Sequence, residues 1–278
     1  MTMMKKWISL NLPFFSFQKL CIIKWVMMMD CNQLARAATK AGEILLESGA
    51  ETYRVEDTMK RICFAYGAEV VDAYATPTML LISFSIHGEL CHNIKRTQIK
   101  SVDLSKIDKV NDLSRSILDS SMSLEEFCFR LEKINQERVY RNWIMVLGAA
   151  VCTLGFAFFF KGTLKDALCA AVIGMLLKLL MIQMDRIDFN SFFKYLIGGA
   201  FTTLCAIIAS KLGACHSIDT LIISVIMLLV PGLAITNAIR DTVSGDLVSG
   251  LARTAEALFV AVAIALGSGL VFTLLGGY

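Results

Sequence analysis

Five stretches of this chain, residues 143–160, 166–184, 195–211, 218–239 and 255–276, are nearly free of charge. Each approaches the roughly 20 apolar residues that a helix needs to cross a hydrocarbon core about 30 Å thick. In that core backbone polar groups must be satisfied without water, and segments of this length do so as helices. The pattern predicts a membrane protein with a bundle of five transmembrane α-helices over residues 141–278. Charge divides the chain at the same place, since 36 of its 51 Asp, Glu, Lys and Arg residues fall in the first 142 positions. Lys178 interrupts the second stretch, where a lysine near a helix end carries its ammonium to the interface on its long stem.

Lys and Arg collect in short cytoplasmic loops. With the front of the chain in the cytoplasm, Arg138, Arg141, Arg186, Lys194, Arg240 and Arg253 fall inside, against Lys161, Lys165 and Lys211 outside. The N-terminal domain is therefore expected to be cytoplasmic, and five crossings place Tyr278 on the outer face of the cytoplasmic membrane.

Arg240, Asp241, Asp246, Arg253 and Glu256 lie between two runs, 220–239 and 257–278, that carry no charge. A charge at the centre of a membrane helix costs about 2.5–3.5 kcal/mol, so these five must face water, each other or a solute. If the fourth helix continues through Asn237, Arg240 and Asp241, their spacing puts all three on one face. Pro231-Gly232 sits inside the apolar run, where proline removes an intrahelical hydrogen bond. Broken helices at membrane depth line protein or a water-filled cavity, and transporters place solute sites there. A kinked helix with its charges at the cytoplasmic interface is the simpler reading and stays open. If the chain is helical after Gly245, Asp246 and Arg253 share a face, with Glu256 one turn beyond. Arg240 or Arg253 suits a carboxylate through a planar two-point contact, while Asp241, Asp246 or Glu256 suits an ammonium group or a coupling proton. A dicarboxylate needs two cationic contacts and an amino acid one of each sign; both sets are present.

Residues 31–140 read as a compact α/β domain. Leu34, Ala38, Ala41, Leu45 and Leu46 recur at helical spacing until Ser48-Gly49-Ala50, and Glu51 to Tyr66 repeats the pattern up to Gly67. Glu69–Tyr74, Thr78–Ile86 and Leu90–Thr97 are β-rich, with His87-Gly88 as a turn, which predicts a three-stranded antiparallel sheet. Helical spacing returns over 106–120 and 123–140, where Ser123 and Glu126 form a capping-box signature and the last helix is expected to run into the first crossing near Trp143. Residues 1–30 form an extension outside this fold. Its apolar stretch is broken by Pro13, Lys19 and Lys24, too interrupted for a crossing and without a signal-peptide core. An interfacial segment, a disordered tail and a start codon placed too early all remain open.

A net charge of +3 without a basic stripe sets nucleic acid aside. The nine cysteines contain no C-x-x-C pair, so neither a metal site nor a disulfide framework is expected, and they read as packing residues of a reducing compartment. Cys91-His92 alone is weak evidence for a metal. No cofactor motif and no Walker motif are present.

Two blocks of residues carry a resemblance. Leu46-Glu47-Ser48-Gly49-Ala50-Glu51-Thr52-Tyr53-Arg54-Val55-Glu56 is followed downstream by Val230-Pro231-Gly232, Thr236-Asn237, Arg240-Asp241, Ser244-Gly245-Asp246-Leu247 and Gly250-Leu251-Ala252-Arg253. Together they resemble the threonine/serine exporter family, in the half that carries the soluble domain and five crossings, over about residues 31–278. The resemblance implies a cytoplasmic-membrane exporter of small polar metabolites, either threonine and serine or dicarboxylates such as succinate, and no enzyme. Fused members carry a second apolar half, so a separate small membrane subunit is implied as partner, with a homo-oligomer left open. Glu51, Tyr53 and Arg54 stand at a helix start, where an acid favours the dipole. Capping is the plain reading of that block; a cytoplasmic gate or subunit contact, with Glu51 or Arg54 meeting the charges around Arg240, is the functional one. A membrane-anchored cytoplasmic hydrolase using His87, His92 and serines is the rival hypothesis, without a G-x-S-x-G or H-E-x-x-H motif behind it. A regulatory module is a third.

Overall fold

The computed structural model describes residues 31–86, 88–98, 102–120, 122–137, 140–187 and 189–275. The extension 1–30, the turn residue His87, Arg138 and Tyr278 lie outside the described residues. The chain divides into two compact units between Glu137 and Arg138.

In the first unit α1 spans residues 31–47 and α2 spans Thr52–Ala65. Leu34, Ala38, Ala41 and Leu45 form the buried stripe that the periodicity predicts. Gly49 ends α1 at φ 86°, a left-handed conformation that spares glycine a Cβ clash. Its N–H donates to the Leu46 carbonyl at 3.1 Å and that of Ala50 to Leu45 at 3.0 Å, closing a Schellman motif. The strands β1 (Val70–Thr76), β2 (Met79–Ile86) and β3 (Glu89–Arg96) form one antiparallel sheet in that order, in the register Val71 to Phe84 and Phe84 to Cys91. Alternate residues Leu80, Ile82 and Phe84 are buried, so one sheet face builds the core with the helices. α3 (Leu104–Ser120) and α4 (Leu124–Gln136) complete it through Val110, Ile117, Phe127 and Leu131. Ser123 Oγ accepts the Glu126 N–H at 3.2 Å, the forward half of the expected capping box.

Two expectations fail here. Cys31, on the first turn of α1, is disulfide-bonded to Cys91 of β3 across 60 residues of sequence; no short motif marks such a pair, because the fold alone brings its ends together. The helix over 123–140 does not run on into the first crossing. It stops at Gln136, with Glu137 extended, and the next helix starts afresh at Asn142 after an extended Arg141.

The second unit contains α5 (Asn142–Phe159), α6 (Leu164–Arg186), α7 (Ser191–Lys211), α8 (Ile218–Ile226), α9 (Gly232–Val243) and α10 (Leu247–Leu275). Four of these, α5, α6, α7 and α10, are each long and apolar enough to cross a bilayer. The fifth predicted stretch, 218–239, is not one helix. It stops at Ile226, passes through a tight turn to Pro231 and restarts as α9. At 1.5 Å per residue the 9 and 12 residues of the two pieces reach about 14 Å and about 18 Å, short of a membrane each.

Small residues set the packing. Gly199 of α7 faces the backbone of Ile264 on α10, and Gly267 of α10 faces the Leu196 carbonyl and the Ala200 nitrogen, so neither helix has room for a side chain there. Ser268 Oγ donates to the Gly199 carbonyl at 3.2 Å across the same seam. Such close approach is the usual means of helix association in lipid, where burial from water supplies no drive. Asp166, fully buried at the start of α6, forms a capping box with Thr163 and also accepts the backbone N–H groups of His216 and Ser217 at 2.6 and 3.1 Å. One carboxylate thereby ties the beginnings of α6 and α8.

Candidate functional site

α9 and α10 meet through the turn Ser244–Asp246. Gly245 takes φ 96° and the Asp246 N–H donates to the Asp241 carbonyl at 2.9 Å, which folds α10 back against α9. Gly250 makes the approach possible, since a Cβ there would collide with Thr242 Oγ1 and crowd the Ala238 carbonyl.

In the notch so formed Arg253 Nε stands 3.0 Å from Asp241 Oδ2. This Nε to Oδ2 approach is a contact of charges without the alignment of a hydrogen bond. Asp241 is 0% exposed, Arg253 2% and Asn237, one turn before Asp241 on the same face of α9, 7%. Burying both charges costs several kcal/mol per ion, offset only by close pairing and further polar contacts. A buried pair of this kind is held out of water by the packing of α9 against α10.

The structure thus brings together Asn237, Asp241 and Arg253. Arg240 and Glu256 are exposed and Asp246 half-buried at the turn. Arg253 reaches across the turn to an ion pair with Asp241. Pro231 and Gly232 open α9 and mark the helix break that the sequence suggests.

In the first unit Glu51 is the cap residue of α2, but its side chain does not cap the backbone. Its carboxylate meets Arg54 Nε at 3.1 Å, and Arg54 also donates to the Tyr53 hydroxyl at 3.3 Å. That hydrogen bond, with the nearby Glu51 carboxylate, holds the Arg54 guanidinium above its usual pKa. Glu51 stands buried at the cap position and also pairs with Arg54 one turn on, in keeping with the plain reading of capping and domain packing. No cluster of three or more metal-ligating side chains occurs among the described residues.

Residues 36–275 match the family described as "Putative threonine/serine exporter". The chain belongs to the threonine/serine exporter family, a family of membrane transporters. It is 25% identical over 231 residues to a probable threonine/serine exporter of Mycobacterium tuberculosis, covering 82% of this chain and 44% of that one. It is 24% identical to a threonine/serine exporter of Corynebacterium glutamicum, over 87% of this chain and 52% of the relative. It is also 21% identical to a probable succinate transporter subunit, YjjP, of Klebsiella aerogenes, over 87% of this chain and 94% of that subunit. The chain thus spans about half the length of the two exporters and nearly all of the subunit. No solved structure matches.

Proposed function

We propose that the chain is one subunit of a cytoplasmic-membrane exporter of small polar metabolites and works with a separate membrane subunit. The buried Asp241–Arg253 pair beside Asn237 carries this reading, because a buried, fixed pair of opposite charges beyond a helix break suits a solute bearing a carboxylate, an ammonium or both. Residues 31–140 form its cytoplasmic domain and 141–278 its membrane domain. α8 and α9 together make the fourth of five crossings, which leaves the C-terminus on the outer face. Arg240, Asp246 and Glu256 line the approach to the pair, and the Glu51, Tyr53 and Arg54 block gates it from the cytoplasm or contacts the partner. The near-complete coverage of a relative named as a transporter subunit supports the two-part arrangement.

Counterflow in proteoliposomes tests the reading, using labelled serine, threonine and succinate, with and without a co-reconstituted partner subunit. Uptake that depends on both subunits and disappears in Arg253→Gln at normal protein level is expected. Equal flux in wild type and variant removes the pair from the route.

A further inference from the structure

A cavity of about 340 Å³ opens among α5, α6 and α7 beside the helix break, with Leu228 and Leu229 in its wall. Its polar lining is Lys178, Asp185, Lys194 and Tyr195, while Met145, Cys152 and Met181 contribute apolar surface. None of these belongs to the Asp241–Arg253 notch.

Lys194 Nζ lies 2.5 Å from Asp185 Oδ1 and 5.5 Å from the centre of the Tyr195 ring, so its charge is matched within the cavity. Lys178 is half-buried and has no ion-pair partner among the described residues. It sits seven residues before Asp185 on α6, about 10 Å deeper along the helix. A lysine on an apolar helix reaches on its long stem; this one lines the cavity beside Leu228 and Leu229 of the turn. Among its described lining residues the cavity carries one surplus positive charge.

We infer that this cavity is a binding site for a single carboxylate of a small organic solute, held by Lys178, with Lys194 and Asp185 as a neutral pair at its rim. One unmatched cation at that depth takes one carboxylate and leaves a second anionic group in apolar surroundings, so the site favours monocarboxylates over dicarboxylates. The inference rests on the exporter reading for its role as a station beside the break. Occupancy of the cavity is measured without transport, so the two can fail separately.

Cys152 reports on the cavity because it is a free thiol in its lining. The full chain in phosphatidylcholine nanodiscs is treated with the anionic sulfonatoethyl and the cationic trimethylammonium-ethyl methanethiosulfonates, and modification of Cys152 is followed by peptide mass spectrometry. The anionic reagent is expected to react faster by roughly tenfold, the scale on which a local charge concentrates counter-ions. Lys178→Gln should abolish that preference and Lys178→Arg should keep it. L-serine should slow labelling in wild type and in Lys178→Arg, L-serine methyl ester should not, and succinate should protect less than serine. A charge preference that Lys178→Gln leaves unchanged, or equal protection by serine and its ester, overturns the proposal. So does protection that appears only when phosphatidylglycerol is added, which assigns the cavity to a lipid phosphate. Protection without counterflow keeps the site and rejects the exporter role.

Discussion

Arg253 and Asp241 form an ion pair across a helix hairpin, 3.0 Å apart with both side chains sealed from solvent. Removing one partner leaves the other buried with its main counter-charge gone. Asp241→Asn and Arg253→Gln should each destabilise the chain by about 3–5 kcal/mol. Replacing both residues together, as Asp241→Leu with Arg253→Met, should restore much of that loss, since a well-packed apolar pair often matches a buried ionic one. Thermal unfolding in detergent checks the stability pattern. Flux should remain absent in the double variant, which separates a functional pair from a merely structural one.

Asp166 makes a second prediction. Its carboxylate accepts from Thr163 and from the backbone of His216 and Ser217. Asp166→Asn keeps the volume but places an amide donor among donors, leaving buried N–H groups short of an acceptor. A loss of about 1–3 kcal/mol is expected for each group so stranded. Asp166→Glu should also weaken the box, because the longer side chain cannot serve the Thr163 N–H and the His216 loop at once. Limited proteolysis in the 212–217 loop reads this directly, with cleavage faster in both variants.

The apolar stretches, the Gly49 stop, the three antiparallel strands and the Pro231 interruption are legible because each depends on residues close in sequence. What depends on distant chain is not. The part played by Asp166 depends on His216, 50 residues on, being brought against it. The Cys31–Cys91 link lacks any local mark for the same reason. The Asp241–Arg253 pair depends on the turn at Gly245, which folds α9 close to α10 and is not marked by helical spacing on either helix. Lys178 shows the limit of a one-helix argument, since its surroundings come from α5, α7 and the break.

Cys63 lies within the first unit's core on α2, and burial pushes its thiol pKa up to about 12. In the unfolded chain the same thiol ionises near its ordinary value, 9.0. The neutral thiol is thus favoured by folding, a contribution fully present below pH 9 and lost as pH rises toward 12. Stability should fall through that window in wild type, and Cys63→Ala should flatten this component while creating a small cavity. Maleimide at pH 8 should leave Cys63 unmodified in the native protein and label it once denaturant is added, as peptide mapping can determine.

The seam between α7 and α10 gives the sharpest steric test. A Cβ at Gly267 would overlap the Leu196 carbonyl, and one at Gly199 would overlap that of Ile264. Both obstacles are backbone, so a substituted side chain cannot be accommodated by a rotamer change; the helices must separate. Gly267→Ala should therefore cost about 1–3 kcal/mol, in the range of overpacked interiors, and Gly267→Leu should prevent stable assembly of the second unit. Gly269 lies two residues on, with nothing within 4 Å of its would-be Cβ. Gly269→Ala should be neutral or slightly stabilising, since alanine is the better helix former by about 1 kcal/mol. Comparing the melting temperatures of Gly267→Ala and Gly269→Ala separates the loss of helix contact from any general effect of altering α10. Equal melting temperatures for the two would show that α7 and α10 do not pack through this seam.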